Sequence, residues 1–137
     1  MPEFQRFETE ISVQPRDIDL NGHVHHSTYL DYLLTARFDQ MARCYKMSMQ
    51  DFQKMGFTWI TRSYRIEYRS EITLHDTAVV RTWIFKIGKV FVDVAFEMES
   101  RVNAKIAARG LARYVLIDVR TKKPIPIPQN VIEKYSI

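Results

Sequence analysis

The stretch Asp19-Leu20-Asn21-Gly22-His23-Val24-His25-His26-Ser27-Thr28-Tyr29-Leu30 joins two segments of different period. Before it, Phe7, Thr9, Ile11 and Val13 alternate with polar residues, the period of two expected of a half-buried strand. Pro15 ends that strand. After it, Tyr29, Leu33, Ala36, Met41 and Tyr45 recur at helical spacing, with Leu30, Leu34 and Phe38 between them. Arg37, Asp39, Gln40 and Arg43 occupy much of the remaining surface. The apolar stripe is wide, as for a helix held against a sheet. Ser27 or Thr28 is placed to cap the helix start.

Beyond the helix the pattern predicts a short second helix over Met49 to Lys54, closed by Gly56. The period then returns to two. Ile60, Tyr64, Ile66 and Tyr68 form the inward face of one predicted strand, and Ala78 to Ile87 form the next. Val90, Val92, Val94, Phe96 and Met98 give the cleanest alternation in the chain, and Ile106 to Val119 a last long strand. His75-Asp76, Gly88-Lys89 and Asn103-Ala104-Lys105 supply the turns. Pro124, Pro126 and Pro128 break the sheet, and Gln129 to Tyr135 make a terminal helical turn. A strand, a long helix and four strands joined mainly by hairpins predict an α+β domain. Its antiparallel sheet wraps around one long central helix, and it spans residues 1–137 as a single domain. The sheet edges need protection, so a homo-oligomer is expected.

The chain has 137 residues, enough for one domain with a real core. Hydrophobic residues make up 46% and charged residues 26%, which excludes a disordered chain. The net charge of +4 reads as a solvated basic surface, or as attraction to a phosphate-bearing carrier. Basic residues are spread among acids with no Lys/Arg run, so no nucleic-acid partner is expected. Cys44 is the only cysteine, which rules out an internal disulfide and a cysteine-based zinc site. It falls late in the helix among apolar residues and reads as core packing. The start Met1-Pro2-Glu3-Phe4 lacks the pattern of a signal peptide, and no apolar run is long enough to span a membrane. A cytoplasmic location is the expectation.

The opening loop carries the chemistry. Helix N-termini offer free backbone N–H groups and a partial positive charge, which can stabilise the oxyanion formed when a thioester is attacked. A nearby carboxylate, Asp19, can act as general base or nucleophile. Asp17 and Asp19 also suit a plain structural role in the turn. His23, His25 and His26 invite a metal reading, but a further convergent ligand is missing, because His75 lies in a different predicted turn. No metal or cofactor is expected. His26, at the helix start, is a candidate for orienting the carbonyl or water. No phosphate-cradling glycine loop or serine-hydrolase elbow occurs.

The run from Asp19 to Leu30 resembles the signature of the hotdog-fold acyl-CoA thioesterases, specifically the 4-hydroxybenzoyl-CoA thioesterase and YbgC/FadM-like group. The helix ending near Ala36-Arg37, the strand order and the segment Pro124-Ile125-Pro126-Ile127-Pro128 extend the resemblance over the whole chain. The resemblance implies a hotdog fold and hydrolysis of a coenzyme A or acyl-carrier-protein thioester without a cofactor. It also implies a homodimer or homotetramer with sites at the subunit interface. By the same resemblance Asp19 matches the catalytic carboxylate, Asp17 a less constant acid before it, and His26 a position held by histidine or asparagine. Tyr29 and Leu33 are expected to line the acyl chain. Two departures stand out: His25-His26 in place of Asn-Asn, and His75-Asp76 in place of Gly-Asp. A hotdog module that binds acyl thioesters without hydrolysing them is the alternative.

Overall fold

Val92, Val94, Phe96 and Met98 share one face of a strand and are all fully or nearly fully buried. That face is the floor on which the long helix lies. The computed structural model describes residues 4–137. In chain order its elements are β1 (Phe7–Ser12), α1 (Thr28–Arg43), α2 (Met49–Lys54), β2 (Phe57–Tyr68), β3 (Thr77–Ile87), β4 (Phe91–Ser100), β5 (Ile106–Asp118) and α3 (Gln129–Tyr135). A single 3-10 turn at Pro15–Asp17 follows β1. The strands form one antiparallel sheet in the order β1-β3-β4-β5-β2.

The expected strand and helix set is present, with one difference in connection. Hairpins join β3 to β4 and β4 to β5, but β2 lies at the far edge beside β5. The chain must therefore cross the sheet from β2 to β3. That crossing leaves β2, a 12-residue strand, as an edge.

Two bulges reset which side chains face inward. In β2 the pairing with β5 slips between Thr61 and Ser63, so Arg62 is the extra residue. Phe57 and Trp59 face the core before the bulge, and Tyr64 and Ile66 after it. Ile60, expected inward, is exposed, because one added residue exchanges the two faces of a strand. In β3 the slip lies between Ile84 and Lys86, and Phe85 points out to solvent.

The five stripe residues Tyr29, Leu33, Ala36, Met41 and Tyr45 are all buried, and the rotation of the helix extends the buried side toward Arg37 and Gln40 rather than toward Leu34 and Phe38. Tyr29, Tyr32, Leu33, Ala36 and Met41 are buried, together with Arg37 and Gln40. Leu34 and Phe38 are 47% and 46% exposed. Gln40 explains the rotation. Its side-chain nitrogen donates to Thr9 Oγ1 at 3.0 Å, and its side-chain oxygen accepts from the Thr82 hydroxyl. These bonds tie the helix to β1 and β3. Ser27 occupies the N-cap position, but its backbone is already helical and its side chain accepts no helix N–H. Its hydroxyl pairs instead with Nδ1 of His25 at 2.8 Å. Gly56 ends α2 at φ +83, as expected. His75, where the resembling family usually has glycine, sits at φ +72, in the left-handed region that glycine occupies at no steric cost. Cys44, just past α1, is a free thiol half-buried against the core.

Gly110 marks the closest approach of β5 to β2. It pairs with Ile66, and a Cβ there would overlap the carbonyl oxygen of Arg65 and lie 2.9 Å from the Phe96 ring. Gly110→Ala is expected to destabilise the chain by about 2–3 kcal/mol, because neither backbone nor ring can yield without disturbing the sheet. Urea unfolding followed by circular dichroism reads this directly. A midpoint unchanged from the unaltered chain would show that β2 and β5 pair less closely than described.

Candidate active site

The segment between β1 and α1 is a folded loop rather than a slack connection. Ile18 and Val24 pair across it, and Val24 N–H donates to Ile72 O at 2.8 Å. His23 forms a bridge with Thr73. Asp19 N–H donates to His23 O at 2.8 Å, and Gly22, at φ +79, makes the reversal between them. The loop is thus pinned to the segment before β3, and the start of α1 is held with it.

The two aspartates of this loop have different surroundings. Asp17 Oδ2 accepts the Tyr32 hydroxyl at 2.7 Å and the Gln14 N–H at 2.9 Å. Its backbone carbonyl takes the His25 N–H at 2.8 Å. Burial, and then the bond to Asp17, push the Tyr32 phenol far above its ordinary range, so it remains a proton donor. Asp17 is therefore engaged in holding the loop to the second turn of the helix.

Asp19 is half-buried and only half engaged. Its Oδ1 accepts the backbone N–H groups of Asn21 at 2.9 Å and His23 at 3.2 Å. Its Oδ2 has no hydrogen-bond partner among the described residues. One oxygen is fixed by the backbone and the other remains open to a reactant. Burial raises the pKa of Tyr29 above the ordinary phenol value.

His26 stands at the other end of the loop, two residues before α1 begins. Its ring is exposed and lies on the His25 ring, centroids 4.2 Å apart. Its backbone carbonyl accepts the Tyr68 hydroxyl at 2.7 Å. The His26 N–H donates to no group among the described residues, whereas the Ser27 N–H is taken by His25 Nδ1 and the Thr28 N–H by His25 O. Tyr68, read from sequence as an inward strand residue, is exposed and anchors the helix start through its hydroxyl. Nothing in the strand alternation signalled that contact. Among the described residues, no three His, Cys, Asp or Glu side chains converge as metal ligands would.

Tyr29 and Leu33, expected along the acyl chain, both lie on the inward side of α1. Leu33 is fully buried and Tyr29 is 3% exposed, both in the core beneath α1. The rotation fixed by Gln40 turns Leu34 and Phe38 outward.

The chain matches the model of the thioesterase-like superfamily over residues 13–135. A Synechocystis sp. protein named "Putative esterase sll0410" is 36% identical over 131 residues, which cover 96% of this chain and 78% of the relative. The long-chain acyl-CoA thioesterase FadM of Escherichia coli is 22% identical over 129 residues, covering 94% of this chain and 96% of the relative. Among solved structures, a DHNA-CoA thioesterase from Staphylococcus aureus superposes with a TM-score of 0.88 at 23% identity, covering 96% of this chain and 89% of that one. The sheet order, the central helix and these matches agree: the chain belongs to the thioesterase-like superfamily, thioester hydrolases of the hotdog fold.

Proposed function

We propose that this chain hydrolyses acyl-CoA thioesters with Asp19 as the reacting carboxylate and the His26 N–H as the oxyanion donor. The observation that carries the reading is the half-engaged state of Asp19. Two backbone N–H groups hold Oδ1, and Oδ2 is left without a partner in the same loop that presents an unengaged N–H at the helix start. A carboxylate fixed in this way loses little freedom on reaching its reactive geometry.

In the proposed reaction, the thioester carbonyl oxygen sits on the His26 N–H and in the positive end of the α1 dipole. With Asp19 as base, Oδ2 takes a proton from water, and the hydroxide adds to the carbonyl carbon. The tetrahedral oxyanion then collapses, the C–S bond breaks, and the proton passes to the leaving thiolate. With Asp19 as nucleophile, an acyl-carboxylate anhydride forms first, and water opens it. Both routes yield a free acid and a thiol. Label on Asp19 after a single turnover in 18O-labelled water identifies the nucleophilic route, with water opening the anhydride at the aspartyl carbonyl.

The same reading includes a homodimer built at β2, within a cytoplasmic protein whose residues 1–137 form one catalytic domain. Among the described residues, no helix is long and apolar enough to cross a membrane. The outer sheet face carries charge: Arg81 meets Glu8 at 2.6 Å, Glu99 at 3.3 Å and Glu97 at 3.5 Å, and Arg113 meets Asp93 at 2.8 Å. The β2 side differs. There Leu34, Phe38 and Ile60 are exposed beside a long unpaired edge. A second copy pairing antiparallel along β2 satisfies the edge and covers these side chains in one step.

Asp19→Asn is expected to lower kcat on a responsive acyl-CoA by about a hundredfold or more, with the folded structure retained. His26→Ala keeps the backbone N–H and is expected to cost less than about tenfold. A thiol-release assay reads both, and an Asp19→Asn protein as active as the unaltered chain would refute the mechanism. Sedimentation is expected to give twice the 16.3 kDa chain mass, and the double variant Phe38→Glu with Ile60→Asp a monomer. Unaltered chain sedimenting as a monomer at micromolar concentration would remove the dimer from the reading.

A further inference from the structure

A second polar constellation lies well away from the Asp19 loop, against the later half of α1. A cavity of about 70 Å³ opens between that half of the helix, the start of β2, the middle of the sheet and α3. Leu34, Phe38, Met41, Met49, Val92 and Val94 make its walls apolar. Arg37 also borders it, only 6% exposed. None of the ion pairs or side-chain hydrogen bonds among the described residues includes Arg37. The face of Tyr45 lies 5.6 Å from the guanidinium carbon, and the neutral Tyr45 and Tyr135 hydroxyls lie close to it.

The polar atoms around it have the same character. Five buried side-chain N or O atoms among the described residues have no hydrogen-bond partner: Arg37 Nη1, Tyr45 Oη, Trp59 Nε1, Tyr114 Oη and Tyr135 Oη. Four of the five belong to residues that line this one cavity. All five can donate a hydrogen bond, and the guanidinium and indole can do nothing else. Burial pushes the Tyr135 phenol up to about 12 and the Tyr114 phenol up as well, so both remain protonated donors at neutral pH. Tyr135 and Trp59 lie nearly parallel, 6.0 Å apart, which holds both polar ends in fixed directions.

A guanidinium cannot shed its proton, and an isolated buried charge is strongly unfavourable unless an opposite charge meets it. Core packing accounts for the rings and the methionines, but not for a buried cation whose polar neighbours are all neutral: the tyrosine hydroxyls can accept its N–H groups, yet none carries a charge that would neutralise it. The missing element is an anion, and the apolar walls say what the anion is attached to.

We infer that this cavity binds a carboxylate carried on an apolar body, with the carboxylate on Arg37 and the hydroxyl and indole donors around it. Such a carboxylate has two sources. It can be a free aliphatic acid, or the distal end of an acyl group whose other end is the thioester. Arg37 lies nine residues into α1, about 14 Å along the axis from the helix start. The second source rests on the thioesterase reading, whereas the site itself does not.

Trp59 lines the cavity and Trp83 does not, so Trp83→Phe leaves a single fluorescent reporter at the site. In that background octanoate is expected to shift Trp59 emission saturably, and to bind at least about tenfold more tightly than octan-1-ol. Arg37→Gln is expected to abolish the difference. Tyr135→Phe, a smaller change that keeps the packing, is expected to reduce it. Equal binding of octanoate and octan-1-ol, or no response to either, would overturn the proposal without needing any Arg37 variant to fold. Octanoate binding is expected to persist in Asp19→Asn, so a failure of the hydrolytic mechanism leaves the site's own test intact. Hydrolysis of octanedioyl-CoA against octanoyl-CoA then identifies the source. A KM at least about tenfold lower for the diacid thioester, lost in Arg37→Gln, assigns the carboxylate to the substrate. Equal KM values with octanoate still bound assign it to a free acid.

Discussion

Gln40 is fully buried between the later half of α1 and strands β1 and β3, and its amide must find its partners inside the protein. Thr9 on β1 and Thr82 on β3 supply them. A buried amide left without partners costs about 1–3 kcal/mol, so the helix has one rotation at which it is satisfied and is penalised at others. That rotation decides the rest. It seals Leu33 and Ala36 against the sheet and turns Leu34 and Phe38 away. It also carries Arg37, one turn before Gln40, into the cavity beside Tyr114 and Tyr135. One polar contact in an apolar interface thus sets the core, the exposed apolar side and the buried cation together.

The loop before the helix shows how two carboxylates two residues apart acquire separate tasks. Asp17 is used up: the Tyr32 hydroxyl and the Gln14 N–H take the same oxygen, and the chain beyond is anchored to its carbonyl. Asp19 is oriented through one oxygen and spared at the other. Each arrangement needs the other. Without Asp17 on Tyr32 the loop would not be registered against the second turn of α1. Tyr68, reaching from the edge strand to the His26 carbonyl, closes the arrangement from the opposite side. The helix start is therefore held by a strand, by the helix's own second turn and by the loop, which is the rigidity an oxyanion donor requires.

Local pattern made much of this visible. The alternation through β4, the helical stripe of α1, the short α2 with Gly56 and the acid-glycine-histidine loop that carries Asp19 are all local signals. What was not legible depends on a single added residue or on a partner far away in sequence. Arg62 has no chemical mark of a bulge, yet by inserting itself it turns Ile60 out and Trp59 in. Arg37 reads as part of a polar helix surface until Gln40 is seen to find partners on β1 and β3. Tyr29 and Leu33 follow the apolar period closely, and both are packed in the core. Helical period says which residues lie together, but the choice between Leu33 and Leu34 as the buried one belongs to tertiary contacts.

The two ends of α1 thus differ in what they ask of a ligand. The start offers one backbone N–H and the positive end of a dipole beside an open carboxylate oxygen, a combination suited to a carbonyl that becomes an oxyanion only during reaction. The later half offers a permanent cation and several fixed donors, a combination suited to a group that is already charged on arrival. A permanent anion gains less at the start, because the Asp19 carboxylate repels it there. A neutral carbonyl gains little in the cavity, because it cannot neutralise Arg37. Electrostatics alone therefore assigns each end of the helix a different chemical group, and a molecule carrying both groups would have only one favourable orientation along it.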